Sequence, residues 1–245
     1  MVITETYNYG NTFVESFQLS TERLDLMFFG FFSTLICTVL LGNIIFFDSD
    51  SCVKTLRVGT ICGAFIGIFS GLSRIMKSIA WAMACLYGLI ICITYCNSLL
   101  TNVLFYFLAG AAFIYTLKSI KITKNDFWYG LAVGAIGAVA IIGARDPMTS
   151  FNMLNRLMVG DIHQDQLFHS SIAAMIKNYG VASTGLHGLV EIKYHVLSHW
   201  VMAGISFLSG VSVLEVYGIA QHIFFTPMLY FSIISLCLIL NPNNN

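Results

Sequence analysis

Residues 78–117 read SIAWAMACLYGLIICITYCNSLLTNVLFYFLAGAAFIYTL, a run of 40 positions without Asp, Glu, Lys or Arg. A bilayer core is crossed by about 20 apolar helical residues, so this run is twice one crossing. Asn97-Ser98 stands at its middle, where a helical hairpin needs its turn. The fold class that follows is all-α, a polytopic helical membrane protein. Leu26 to Phe47 gives a further charge-free run, and Val58 to Ser73 a shorter one between Arg57 and Arg74, whose long stems can snorkel. Phe127 to Ala144, Tyr194 to Leu214 and Val216 to Leu240 add three more, the last two separated only by Glu215. The total is about seven transmembrane helices. Gly130, Gly134 and Gly137 in the fifth are spaced for close helix packing in lipid.

Composition agrees. Of 245 residues, 57% are hydrophobic and 10% charged, where about 25% charged is usual in a soluble domain. The mean hydropathy is +0.80. Lys plus Arg number 12 and Asp plus Glu 12, so no basic field exists to hold a nucleic-acid backbone, and that partner class is excluded. Of the seven cysteines, Cys37, Cys62, Cys85, Cys92, Cys96 and Cys237 sit in apolar runs and Cys52 in a loop, with no CxxC; they read as small buried hydrophobes. Glu5, Glu15, Glu22 and Asp25 face a single Arg23, the wrong charge for a signal peptide, so the first apolar run reads as an uncleaved span. The ending Asn241-Pro242-Asn243-Asn244-Asn245 reads as a short tail or a shortened chain.

Lys and Arg accumulate on the cytoplasmic side of a membrane. Lys118, Lys121 and Lys124, with Arg74 and Lys77, place the N-terminus in the cytoplasm and residues 145–193 outside; Lys54 and Arg57 run against that count. The expected organisation is an N-terminal scaffold of five spans over 1–144, an external loop with a juxtamembrane helix over 145–193, and a two-span hairpin over 194–245. The expected location is a bacterial inner (plasma) membrane, with the lipid bilayer as first partner.

All six histidines fall at or after His163, within or beyond the one long polar stretch. There Asp161 and Gln164 resemble a helix cap, Leu167, Phe168, Ile172, Met175, Ile176 and Tyr179 recur at helical spacing, and Gly180 is a stop. This predicts an amphipathic helix on the outer membrane surface. Asp161, Asp165 and His169 are four residues apart and share its polar face. Two readings stand side by side: a carboxylate base or metal ligand with His169 beside it, or a solvated face with a cap.

Further on, His195 and His199 share a helix face one turn apart, a spacing that suits a divalent metal or a phosphate, or histidines bonded between helices. Tyr194 and His163 flank these groups. Arg145 and Arg156 are outward cations of the type that forks a phosphate, or topology charges paired with Asp146. Gln221 and His222 extend the polar positions into the last span, where Pro227 predicts a kink.

The segment Asp165-Gln166-Leu167-Phe168 through Ala173-Ala174 to Tyr179-Gly180, followed by Tyr194-His195, resembles the external loop of the GT-C class of polytopic membrane glycosyltransferases over about residues 145–215. The resemblance implies transfer of a sugar from a polyprenyl-phosphate carrier during cell-surface polysaccharide or glycoconjugate synthesis. It implies that Asp165, or else Asp161, is the base for the acceptor hydroxyl, and that His169, His195 and the arginines hold the lipid phosphate or a divalent metal. The alternatives are a transporter or flippase without catalytic activity, for which repeat symmetry is expected and no internal repeat is seen, and a metal or haem protein, for which only His222 could partner His195 or His199.

Overall fold

The computed structural model describes residues 21–46, 49–96, 98–120, 123–144, 153–186, 190–192, 196–230 and 232–233. Among these the chain is all-helical: α1 (Thr21–Phe46), α2 (Ser49–Met76), α3 (Ile79–Cys96), α4 (Leu99–Ser119), α5 (Lys124–Ala144), α6 (Met153–Met158), α7 (Gln164–Tyr179), α8 (Leu197–Ser209) and α9 (Val213–Ala220). A π-turn, Gln221–Phe225, continues α9 so that one helix runs Val213–Tyr230. Asp50–Met76 and Leu99–Ser119 are long and apolar enough to cross a membrane, and the pair α8 and Val213–Tyr230 makes a third if counted as one broken span. Shorter apolar helices are Phe28–Leu41, Trp81–Cys96 and Phe127–Ala140.

The hairpin in the opening stretch forms at the expected place. α3 ends at Cys96, and Ser98 caps α5's predecessor α4: its hydroxyl accepts from the Thr101 amide at 3.2 Å while Thr101 accepts from the Ser98 amide. α2 is the hub of the bundle, packed against α1, α3, α4, α8 and α9. Its apolar face carries Val58, Ile61, Cys62, Phe65 and Ile68, all buried, with Phe65 between Phe105 of α4 and Phe224 of the π-turn. α4 instead turns Leu99, Val103, Phe107 and Ile114 outward, an apolar surface suited to acyl chains.

The glycine spacing in α5 is explained by α1. A Cβ at Gly130 would lie 2.2 Å from the Phe29 ring, and one at Gly134 would lie 2.3 Å from Ser33 Oγ and 2.9 Å from the Ser33 backbone. The two helices therefore approach closely only because those positions lack side chains.

Two expectations are corrected. The second span does not start at Val58: α2 begins at Ser49 and takes in Cys52, Lys54 and Arg57, which the sequence assigned to a loop. Asp50 in its first turn pairs with Lys54 one turn on, which makes the polar end helical. The sixth span does not reach Leu214: Gly210, at φ +69°, stops α8, and the chain turns by 111° before α9. Just before Pro227, where the sequence leads one to expect a kink, the π-turn has Thr226 N–H bonded back to the Gln221 carbonyl.

The cysteines divide. Cys62 is buried as expected, whereas Cys92 and Cys96 are exposed, and Cys37, Cys52 and Cys85 are half-buried; all six are thiols. Cys237 lies outside the described residues.

Candidate functional site

The expected cap of the polar helix is also corrected. His163, not Asp161, caps α7: its Nδ1 accepts from the Asp165 amide at 3.3 Å, and Gln166 Oε1 accepts from the His163 amide at 3.3 Å. Gly180 ends the helix in the left-handed region at φ +69°, as expected. Asp161 thus lies ahead of the helix, where it accepts from Arg156 Nη2 at 3.2 Å. The stripe reduces to Asp165 and His169.

The apolar face of α7 is not spent on a membrane surface. Ile172 and Ile176 pack with Ala182 and Ala203, Ala173 packs with Met202 and Val213, and Ile192, Val196 and Trp200 close over the first group. Leu167, Phe168 and Tyr179 remain exposed. α7 is therefore docked on α8 and α9, because its second turn offers small residues that let three helices meet.

That docking brings two histidines together. His169 Nδ1 and His199 Nε2 stand 3.0 Å apart across the α7–α8 contact. One ring donates and the other accepts, so at least one imidazole is neutral in this bond or the pair shares a single proton. Tyr217 of α9 stacks on His169, the rings parallel to within 6° at 6.1 Å. His199 is 3% exposed, while His169 is half-buried and Asp165, one turn before it, is exposed. The arrangement offers an accessible carboxylate and an imidazole on one face, with a second imidazole behind it.

Two charged clusters hold the elbow between α8 and α9. Lys177 Nζ donates to Ser206 Oγ at 2.9 Å, and Ser206 Oγ donates to the Val211 carbonyl at 2.6 Å, while Tyr106 Oη donates to the Leu208 carbonyl at 3.2 Å. These bonds satisfy carbonyls released where the helix breaks. Burial lowers the Lys177 pKa, since a charged ammonium loses hydration there. Beyond the turn, Ser212 caps α9, and Glu215, 8% exposed, accepts from Ser212 and from Lys54 Nζ of α2 at 2.6 Å each. Sequence reasoning missed this pair, treating Glu215 as a divider and Lys54 as an anomalous loop charge. The signal was present, because an ionisable residue between apolar runs normally has a partner inside the protein. Arg74 is likewise no simple topology charge: it donates to Asp25 of α1, both nearly enclosed.

Of the remaining predicted residues, His163 serves as the cap, with its Nδ1 3.5 Å from Asp165 Oδ2. His222 Nδ1 bonds the Gly218 carbonyl at 2.9 Å deep in the bundle, apart from the His169–His199 pair. Arg145, Tyr194 and His195 lie outside the described residues, as does Asp146. Among the described residues no three His, Cys, Asp or Glu side chains gather as a metal site. No family model matches the chain, and neither a curated protein nor a solved structure is significantly similar to it.

Proposed function

We propose that this is a membrane glycosyltransferase of GT-C-like type, working on a polyprenyl-phosphate-linked sugar at the outer face of the membrane. The observation that carries the reading is the placement of exposed Asp165 one helical turn from His169, whose ring is fixed by His199 and Tyr217. In that chemistry the acceptor oxygen bonds the anomeric carbon, the bond from that carbon to the phosphate oxygen breaks, and the electron pair leaves on the phosphate. Asp165 takes the hydroxyl proton as the new bond forms, and His169 meets the departing phosphate. The resemblance assigns Arg145 and His195 to the lipid phosphate as well. α1, α3 and α5 join α2, α4 and the α8–α9 pair as membrane elements, up to the seven crossings the sequence predicts, with the N-terminus cytoplasmic and 145–193 outside.

A second reading, a transporter or flippase, draws on a different observation: the broken α8–α9 span with Lys54 and Glu215 beside it, since discontinuous helices line many transport sites.

The two separate on Asp165→Asn. The glycosyltransferase reading expects sugar transfer from a polyprenyl-phosphate donor to be lost while the protein stays folded in the membrane. Transfer by the variant at the wild-type rate would remove Asp165 from catalysis. Purified protein that moves labelled lipid across vesicles but transfers nothing would favour the second reading.

A further inference from the structure

His199 has been grouped with the substrate-contacting residues by its position at the mouth of a span. Its burial excludes that role as the structure stands, because 3% exposure leaves no surface for a substrate. What it does touch is His169 Nδ1, at 3.0 Å. The two nitrogens of an imidazole lie on different edges of the ring, so a ring held at Nδ1 has only Nε2 left to offer. The Tyr217 ring, parallel to His169 within 6°, fixes the ring plane from a second direction. One bond and one stack together remove both the rotation and the flip of His169.

We propose that His199 is a positioning residue: it donates its Nε2–H to His169 Nδ1 and so holds His169 in the tautomer whose Nε2–H faces a phosphate oxygen of the lipid donor. The proposal rests on the glycosyltransferase reading for its ligand, not for its geometry. The tautomer matters because a neutral imidazole binds a phosphate oxygen only through an N–H. With Nδ1 accepting from His199, that N–H is at Nε2, the opposite edge of the ring. With the bond reversed, His169 would present a lone pair and repel the phosphate. Partners behind a metal-ligating histidine act this way, and removing one costs about 10- to 100-fold in metal affinity or activity.

The test uses full-length protein in detergent micelles, labelled with nitrogen-15 in its imidazoles, and a long-chain polyprenyl monophosphate as probe. The wild type is expected to show His169 as a single Nε2–H tautomer. His199→Phe should release both the tautomer and the orientation of the ring and weaken probe binding about 10-fold, the lower end of what loss of such a partner costs a metal-ligating histidine. His199→Gln, whose amide N–H can still donate to Nδ1, should retain both the tautomer and most of the binding. His169→Phe should lose binding to the same extent, and adding His199→Phe to it should cost nothing more. A wild-type His169 protonated at Nδ1, or a tautomer unchanged in His199→Phe, would overturn the proposal. If the tautomer follows His199 but the wild type binds no polyprenyl phosphate, the positioning role is upheld and the lipid-donor reading fails.

Discussion

Lys54 and Glu215 show how much a single side chain decides. Each alone would be an ionisable group among apolar helices; together they fasten the start of α9 to α2. Lys54→Met leaves Glu215 enclosed without a counter-charge and should lower stability by about 1 to 3 kcal/mol, whereas Glu215→Gln leaves Lys54 its Asp50 partner and should cost less. The double variant Lys54→Met/Glu215→Leu should recover most of that loss, read from thermal unfolding in detergent; equal, additive losses would show that the two do not act as a pair. Lys177 makes a prediction of opposite sign. Its folded pKa lies below the unfolded value because burial penalises the ammonium, so the fold prefers the neutral amine. Its stabilising contribution is fully present above the unfolded pKa of about 10.4 and is lost as pH falls through the lowered value. Stability should therefore gain with pH through that alkaline window, and Lys177→Met should flatten the gain. An unchanged slope in the variant would place the lysine in solvent.

Among the elements, the α1–α5 pair is the most sensitive to one added methyl. A Cβ at Gly134 meets Ser33 backbone as well as its hydroxyl, so Gly134→Ala should destabilise by about 1 to 3 kcal/mol, whereas Gly110, with nothing within 4 Å, should accept alanine without loss. Equal melting of both variants would mean that α1 and α5 do not approach as described. The glycine stripe was legible because small residues at helical spacing have few other uses in a membrane helix. The elbow was not. Gly210 looks in sequence like the glycines that pack helices, and only its positive φ, with Lys177 and Tyr106 answering the carbonyls, marks it as a stop. In α7 the apolar period and the Gly180 stop were readable, while the cap was misplaced by two residues. His163 caps where Asp161 was expected to, and the Asp161 carboxylate accepts from Arg156 instead.

For the whole molecule, the orientation predicted by basic residues can be checked at one site: a cysteine introduced near Gly185, in a background without other thiols, should react with a membrane-impermeant reagent from outside. Protection there with reaction from the cytoplasmic side would invert the topology and remove the external donor. The count of basic residues is weaker than it looked, since Lys54 and Arg74 are both tied into pairs between helices. The sequence by itself determined the all-helical class, the α3–α4 hairpin, the α5 glycine face and the polar helix near 164–179, because each depends on periodicity, apolar length or a local stop. Tertiary structure alone decided that α7 docks on α8 and α9, that His169 meets His199 and Tyr217, and that Glu215 finds Lys54 across 161 positions. Those contacts join residues far apart in the chain, and which of many similar apolar faces meet is settled by shape and by the cost of leaving a buried polar group unpaired, neither of which a local pattern records.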